Sequence, residues 1–97
     1  MRIISRKVLR EFWDKYPAAR QSLQAWSDDV RRAQWQCPAD IKAVYWNASF
    51  LANNRVVFNI KGNTYRLIVV IQSAHGIVYI RFVGTHRDYD RIDATVI

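Results

Sequence analysis

The chain has 97 residues, which fits one domain able to bury roughly 60–65% of its unfolded surface without disulfides. Apolar residues make up 51% and aromatics 13%, which excludes the composition of a disordered segment, while 15 Lys and Arg against 8 Asp and Glu leave a charge of +7 that favours an anionic partner. The longest apolar run, Leu67 to Ile71, falls far short of the ~20 residues of a membrane span, MRIISRKVLREF has no signal-peptide core, and the lone Cys37 lacks a partner at zinc-ligand spacing, so a cytoplasmic protein without membrane contact, cofactor or metal is expected.

In chain order, Met1 to Ile4 is a candidate short strand. Ser5 is a candidate N-cap, and Val8, Leu9, Phe12, Trp13 and Tyr16 recur at helical spacing, predicting a helix from Arg6 to Tyr16. Pro17 suits the first position of a second helix, whose apolar face is Leu23, Trp26, Val30 and Ala33 and which Cys37-Pro38 should stop. Residues 38–54 read poorly: a further helical turn over Ala39 to Val44, then a surface loop from Asn47 to Asn54. From Arg55 the pattern alternates, predicting strands at 55–60, 64–72 and 77–83, joined by hairpin turns at Lys61-Gly62-Asn63 and Ser73-Ala74-His75-Gly76. Val56, Phe58, Ile60, Leu67, Val69, Ile71, Val78, Ile80 and Phe82 form the set expected to face the helices. Thr85 with Asp88 reads as a capping box that opens a short helix from His86 to Asp93. Together these readings predict an α+β fold, in which two N-terminal antiparallel helices pack on a twisted, mainly antiparallel sheet and a short C-terminal helix follows. Residues 1–97 are read as a single domain.

Between Ile41 and Arg87 lie six cations, Lys42, Arg55, Lys61, Arg66, Arg81 and Arg87, two histidines, and no Asp or Glu. Alternation puts Arg55, Asn59, Lys61, Thr64, Arg66, Tyr79 and Arg81 on the sheet face away from the helices, a one-sided positive surface suited to a polyanion. The run ends in Gly84-Thr85-His86-Arg87-Asp88-Tyr89-Asp90, which gathers imidazole, phenol and carboxylates within a few residues.

The stretches Val57-Phe58-Asn59-Ile60-Lys61-Gly62-Asn63-Thr64-Tyr65-Arg66-Leu67 and Tyr79-Ile80-Arg81-Phe82-Val83-Gly84-Thr85-His86-Arg87-Asp88-Tyr89-Asp90 resemble the HigB-type toxins of bacterial type II toxin–antitoxin modules, within the RelE superfamily. The resemblance covers most of the C-terminal half, and the helical first third agrees in pattern. It implies a RelE-like, microbial ribonuclease-like fold and a cytoplasmic messenger-RNA endonuclease. Such a toxin acts on translated mRNA at the ribosome, works without metal and is neutralised by a HigA-like antitoxin.

Metal-free RNA cleavage needs a base for the ribose 2′-OH, cations for charge growing on the phosphoryl oxygens, and an acid for the departing 5′ oxygen. Under this resemblance Lys61, Arg66 and Arg81 are candidates for phosphate stabilisation, since guanidinium groups grip two oxygens at once. His86 and Tyr89 are the candidate base and acid, in unassigned order. Arg55, Asn59, Arg87 and Asp90 are candidates for RNA binding or for orienting the histidine. Each has a plainer reading: edge-protecting arginines, a solubilising Lys61, a locally bonded His86, a core Tyr89, and helix-capping Asp88, Asp90 and Asp93. His75 reads as a surface residue. Trp13, Tyr16 and Trp26 read as core, whereas Trp35, Tyr45 and Trp46 are open between core and base stacking. Two other functions fit the same surface: a non-catalytic RNA-binding module, and a gyrase-inhibiting toxin of the ParE type.

Overall fold

A computed structural model describes residues 1–97, in the order β1 (Arg2–Ile4), α1 (Arg6–Lys15), a 3₁₀ turn (Pro17–Ala19), α2 (Arg20–Arg32), α3 (Pro38–Lys42), β2 (Ser49–Leu51), β3 (Arg55–Ile60), β4 (Tyr65–Gln72), a 3₁₀ turn (Ser73–His75), β5 (Ile77–Thr85) and α4 (His86–Tyr89). The five strands form one sheet in the order β1-β5-β4-β3-β2. Only the β1–β5 pairing is parallel. The expected α+β architecture is present.

One face of the sheet carries the main core. Leu9 and Trp13 of α1 and Leu23, Trp26 and Val30 of α2 pack with Val56, Phe58, Ile60, Leu67, Val69, Ile71, Val78 and Ile80. The alternation therefore sorts these strand residues as expected, and each large apolar side chain sunk here contributes about 1.5–3 kcal/mol of transfer free energy. Phe58 lies at the centre of an aromatic cluster, with ring centroids 5.5 Å from Trp26, 6.0 Å from Trp35 and 5.3 Å from Tyr45. Trp35 is thus core rather than a base-stacking residue. Tyr45 donates its hydroxyl to Asp29 Oδ2 at 2.5 Å, and burial, then the bond to and charge of that carboxylate, push the phenol well above its ordinary pKa. Arg6 Nε donates to the buried Ser27 hydroxyl at 3.2 Å and links α1 to α2.

Several local expectations change. Ser5 adopts a left-handed backbone (φ 70°) and makes no side-chain cap, because the chain turns sharply there from strand to helix and leaves the extended geometry that an N-cap uses. Pro17 starts a 3₁₀ turn rather than α2 itself. Helix α2 ends at Arg32, and Ala33 is extended, short of the Cys37-Pro38 stop. The extension lets Trp35 reach Phe58, so tertiary packing overrides helix propensity. The expected loop at 47–54 contains β2, whose turn to β3 carries Asn53 and Asn54 in left-handed conformation (φ 62° and 60°).

Phe82 departs from its expected face. Ile68 pairs with Phe82 but Val69 pairs with Ile80, so Arg81 is an extra residue without a partner across the ladder. This bulge shifts every later residue of β5 by one step, and Phe82 turns to the outer face while Val83 joins the helix side. The terminal helix is also shorter than expected, one turn from His86 to Tyr89.

Candidate functional site

Strand register lays out the outer face in rows. Asn59, Arg66 and Gly84 stand side by side at one end, Val57, Ile68 and Phe82 in the middle, and Arg55, Val70 and Tyr79 at the other end. The middle row is covered. Val57 and Ile68 are buried with Ala94, and Leu51, Phe82, Tyr89, Ile92 and Ile97 pack around them as a second, smaller core. Residues 90–97 therefore cross the face that was expected to be an open cationic surface, and they divide it into two ends. Asp93 accepts from Thr95 N at 3.0 Å and Thr95 Oγ1 at 2.6 Å, bonds that fold this segment and hold the Asp93 carboxyl below its usual pKa.

At the first end, the β3–β4 turn meets α4. The capping box is formed: Asp88 N donates to Thr85 Oγ1 at 3.1 Å and Thr85 N to Asp88 Oδ2 at 3.3 Å. His86 N donates to the Thr64 carbonyl at 3.3 Å, which fixes the helix start beside the turn. The arrangement sets Tyr89, half-buried, beneath the Arg66 guanidinium, whose carbon lies 5.7 Å from the ring centroid. Arg66 Nη1 also donates to the Asn63 carbonyl at 3.3 Å. His86 is exposed, with Nδ1 3.1 Å from Asp90 Oδ2. Lys61 is exposed in the turn, with φ 52°, and Asn59 pairs with Arg66 across the ladder. Asn59, Lys61, Arg66, His86, Tyr89 and Asp90 thus gather at one end of the face.

Arg81 and Arg55 do not join them. Arg81 projects from the bulge at the opposite end, where its Nε donates to the Ile97 main-chain oxygen at 3.3 Å, and Arg55 reaches the same oxygen. Sequence alternation placed both on the correct face, but it could not foresee that a docked segment separates them from Arg66. Arg87 is exposed on α4 and makes no ion pair. His75 is exposed in its turn, and Trp46, 78% exposed, is the one tryptophan open to solvent.

Gly84 adjoins this site, although the sequence reading gave it no role of its own. A Cβ there would lie 2.5 Å from Phe82 Cζ and 3.2 Å from Asp88 Cβ. Its absence lets the Phe82 ring and the α4 cap close on β5, and a lone glycine inside an apolar strand is the signal for such close approach. Chemically, this end offers a cation over a phenol, an imidazole oriented by a carboxylate, a mobile ammonium and an amide, all reachable from solvent. That set can bind a phosphodiester and move protons at it.

Residues 19–92 match the HigB_toxin family, described as a RelE-like toxic component of a toxin–antitoxin system. The chain is also similar to the mRNA interferase toxin HigB of Escherichia coli strain K12, and to the mRNA interferases HigB of Escherichia coli O157:H7 and Shigella flexneri. Each is 31% identical over 93 residues, which covers 93% of this chain and 88% of the relative.

Proposed function

The chain belongs to the HigB family of RelE-like toxins, the toxic component of toxin–antitoxin systems, and from that premise we propose that it is an mRNA interferase that cuts at the end of the sheet where α4 meets the β3–β4 turn. Its relatives carry that activity in their names. The observation that carries the local assignment is the pairing of Arg66 over Tyr89 with His86 held by Asp90 on the turn of helix that follows β5.

In this reading a phosphodiester lies against Arg66 and Lys61, which take up charge on its non-bridging oxygens as the 2′-oxygen attacks phosphorus. His86 and Tyr89 handle the two protons: one leaves the 2′-OH, the other goes to the departing 5′ oxygen. Asp90 fixes the imidazole plane and tautomer, since a carboxylate at Nδ1 leaves Nε2 to face the substrate. Asn59 offers an amide to the ribose or a base. These side chains supply base, acid and counter-charge without a metal. The shallow site grips few atoms, which suits RNA already positioned on the ribosome in the bacterial cytoplasm. The partner that neutralises it is a protein antitoxin, and the excess of cations favours an acidic surface on that partner.

Mapping of mRNA 5′ ends after brief induction tests the reading. Wild type should cut within open reading frames and leave DNA supercoiling unchanged. His86→Ala should retain the fold and lose about 10²–10⁴-fold in cleavage rate. Cuts at wild-type frequency in the variant would remove His86 from the chemistry, and altered supercoiling without cuts would favour a gyrase target.

A further inference from the structure

Arg55 and Arg81 stand on strands separated by β4, yet their guanidinium groups meet on one acceptor. The Ile97 main-chain oxygen receives Arg55 Nη2 at 2.6 Å and Nε at 3.2 Å, and Arg81 Nε at 3.3 Å. Neither guanidinium forms an ion pair with a side-chain carboxylate. The Ile97 oxygen marks the point on which the two guanidinium groups converge, and a phosphate oxygen placed there would accept the same bonds as charge-assisted ones. The groups border an open cleft of about 410 Å³ with Asn53, Gln72 and Tyr79. The bulge at Arg81 contributes directly, because a residue left out of the ladder is free to aim its side chain across the face.

This cleft is not where the proposed cut occurs. Arg55 and Asn59 lie at opposite ends of the outer face of β3, roughly 13 Å apart at about 3.3 Å per residue. We propose that Arg55 and Arg81 form a second phosphate subsite, which takes a phosphodiester of the substrate strand away from the cut bond in place of the Ile97 oxygen. The inference rests on the mRNA interferase reading and adds to it a direction for the RNA, which runs along the outer face from α4 towards the β2–β3 turn. The Ile97 oxygen holds the two arginines together until RNA takes their bonds.

The test measures RNA binding in the cleavage-disabled His86→Ala protein, with a labelled dinucleotide and a single strand long enough to reach both ends. Adding Arg55→Gln or Arg81→Gln should weaken the long strand about tenfold. It should also make its salt dependence shallower by about 0.7 in log–log slope, the value for one phosphate on a single strand, and leave the dinucleotide unaffected. Thr95→Val separates charge from tail docking, because it removes the 2.6 Å bond from Thr95 Oγ1 to Asp93 Oδ1 that folds the tail, lies outside the cleft and keeps both cations. Its salt slope should match the parent. Unchanged long-strand binding in the arginine variants, or an equal loss with Thr95→Val, would overturn the subsite. A loss seen only with ribosomes would assign the phosphate to ribosomal RNA and likewise overturn it. Since binding is read separately from cutting, failure here leaves the cleavage maps standing, and absence of wild-type cuts leaves the binding result standing.

Discussion

Lys61 sits in the left-handed region at φ 52°, followed by Gly62 at φ 62°. A residue with a Cβ gives up about 1–2 kcal/mol there relative to the right-handed region, and such strain tends to persist where a side chain is needed for function. Glycine removes the conflict. Lys61→Gly should therefore raise stability by about 1 kcal/mol in a urea melt while lowering the cleavage rate, since it relieves the backbone and deletes the ammonium. A lower melting midpoint would mean that the turn stores no strain at this position. The neighbouring residues divide by exposure: His86 is open to solvent, while Tyr89 is half-buried under Arg66, where it packs against the outer core and is also proposed for proton transfer.

Strand β5 decides more than any other element. Its bulge at Arg81 turns Phe82 outward onto Ile68, and Gly84 then leaves room for that ring beside the α4 cap. Gly84→Ala would push a methyl group into Phe82, whose ring is pinned in the second core, and into Asp88, half of the capping box. We expect a stability loss of about 1–3 kcal/mol and a larger proportional loss of cleavage, because α4 carries His86 and Tyr89. Thermal melts of the variant check the first, and initial rates of reporter-mRNA cutting the second. A variant as stable and active as the parent would show that Phe82 moves aside freely.

The whole molecule has two cores of unequal size. The helix-side cluster holds 18 buried residues, while the outer one holds three under residues 90–97. A small core tied by few bonds opens at lower free energy than the body of the fold. Ala94→Asp places a carboxylate between Val57 and Ile68, a burial cost that undocking avoids. Hydrogen exchange should then speed up in residues 90–97 and leave Leu9, Trp26 and Val69 protected. Global loss of protection would instead make the outer core essential to the fold. Cleavage should fall as well, since Tyr89 leans on the same cluster.

Much of this was legible in the sequence. The period of Leu9 and Trp13, of Leu23, Trp26 and Val30, and of the β3 and β4 residues named their buried faces, because helix and strand repeats are local. The Thr85–Asp88 capping box and the one-sided cations were local as well, and the family resemblance rested on contiguous motifs. Three features had no local signature. Strand β2 hid among asparagines, whose side chains also suit loops. The bulge was invisible because Val78 to Phe82 alternates without a break, and an extra residue exists only relative to the register of a partner strand. The docking of Ala94 and Ile97 depended on an apolar patch, Val57 and Ile68, that assembles only when two strands pair. The amino-acid order thus determined which faces are apolar and which titratable and cationic side chains stand near one another along the chain. Tertiary structure alone decided that Arg66 and Arg81 serve different ends of one surface, because only long-range register and the crossing segment set the distance between them.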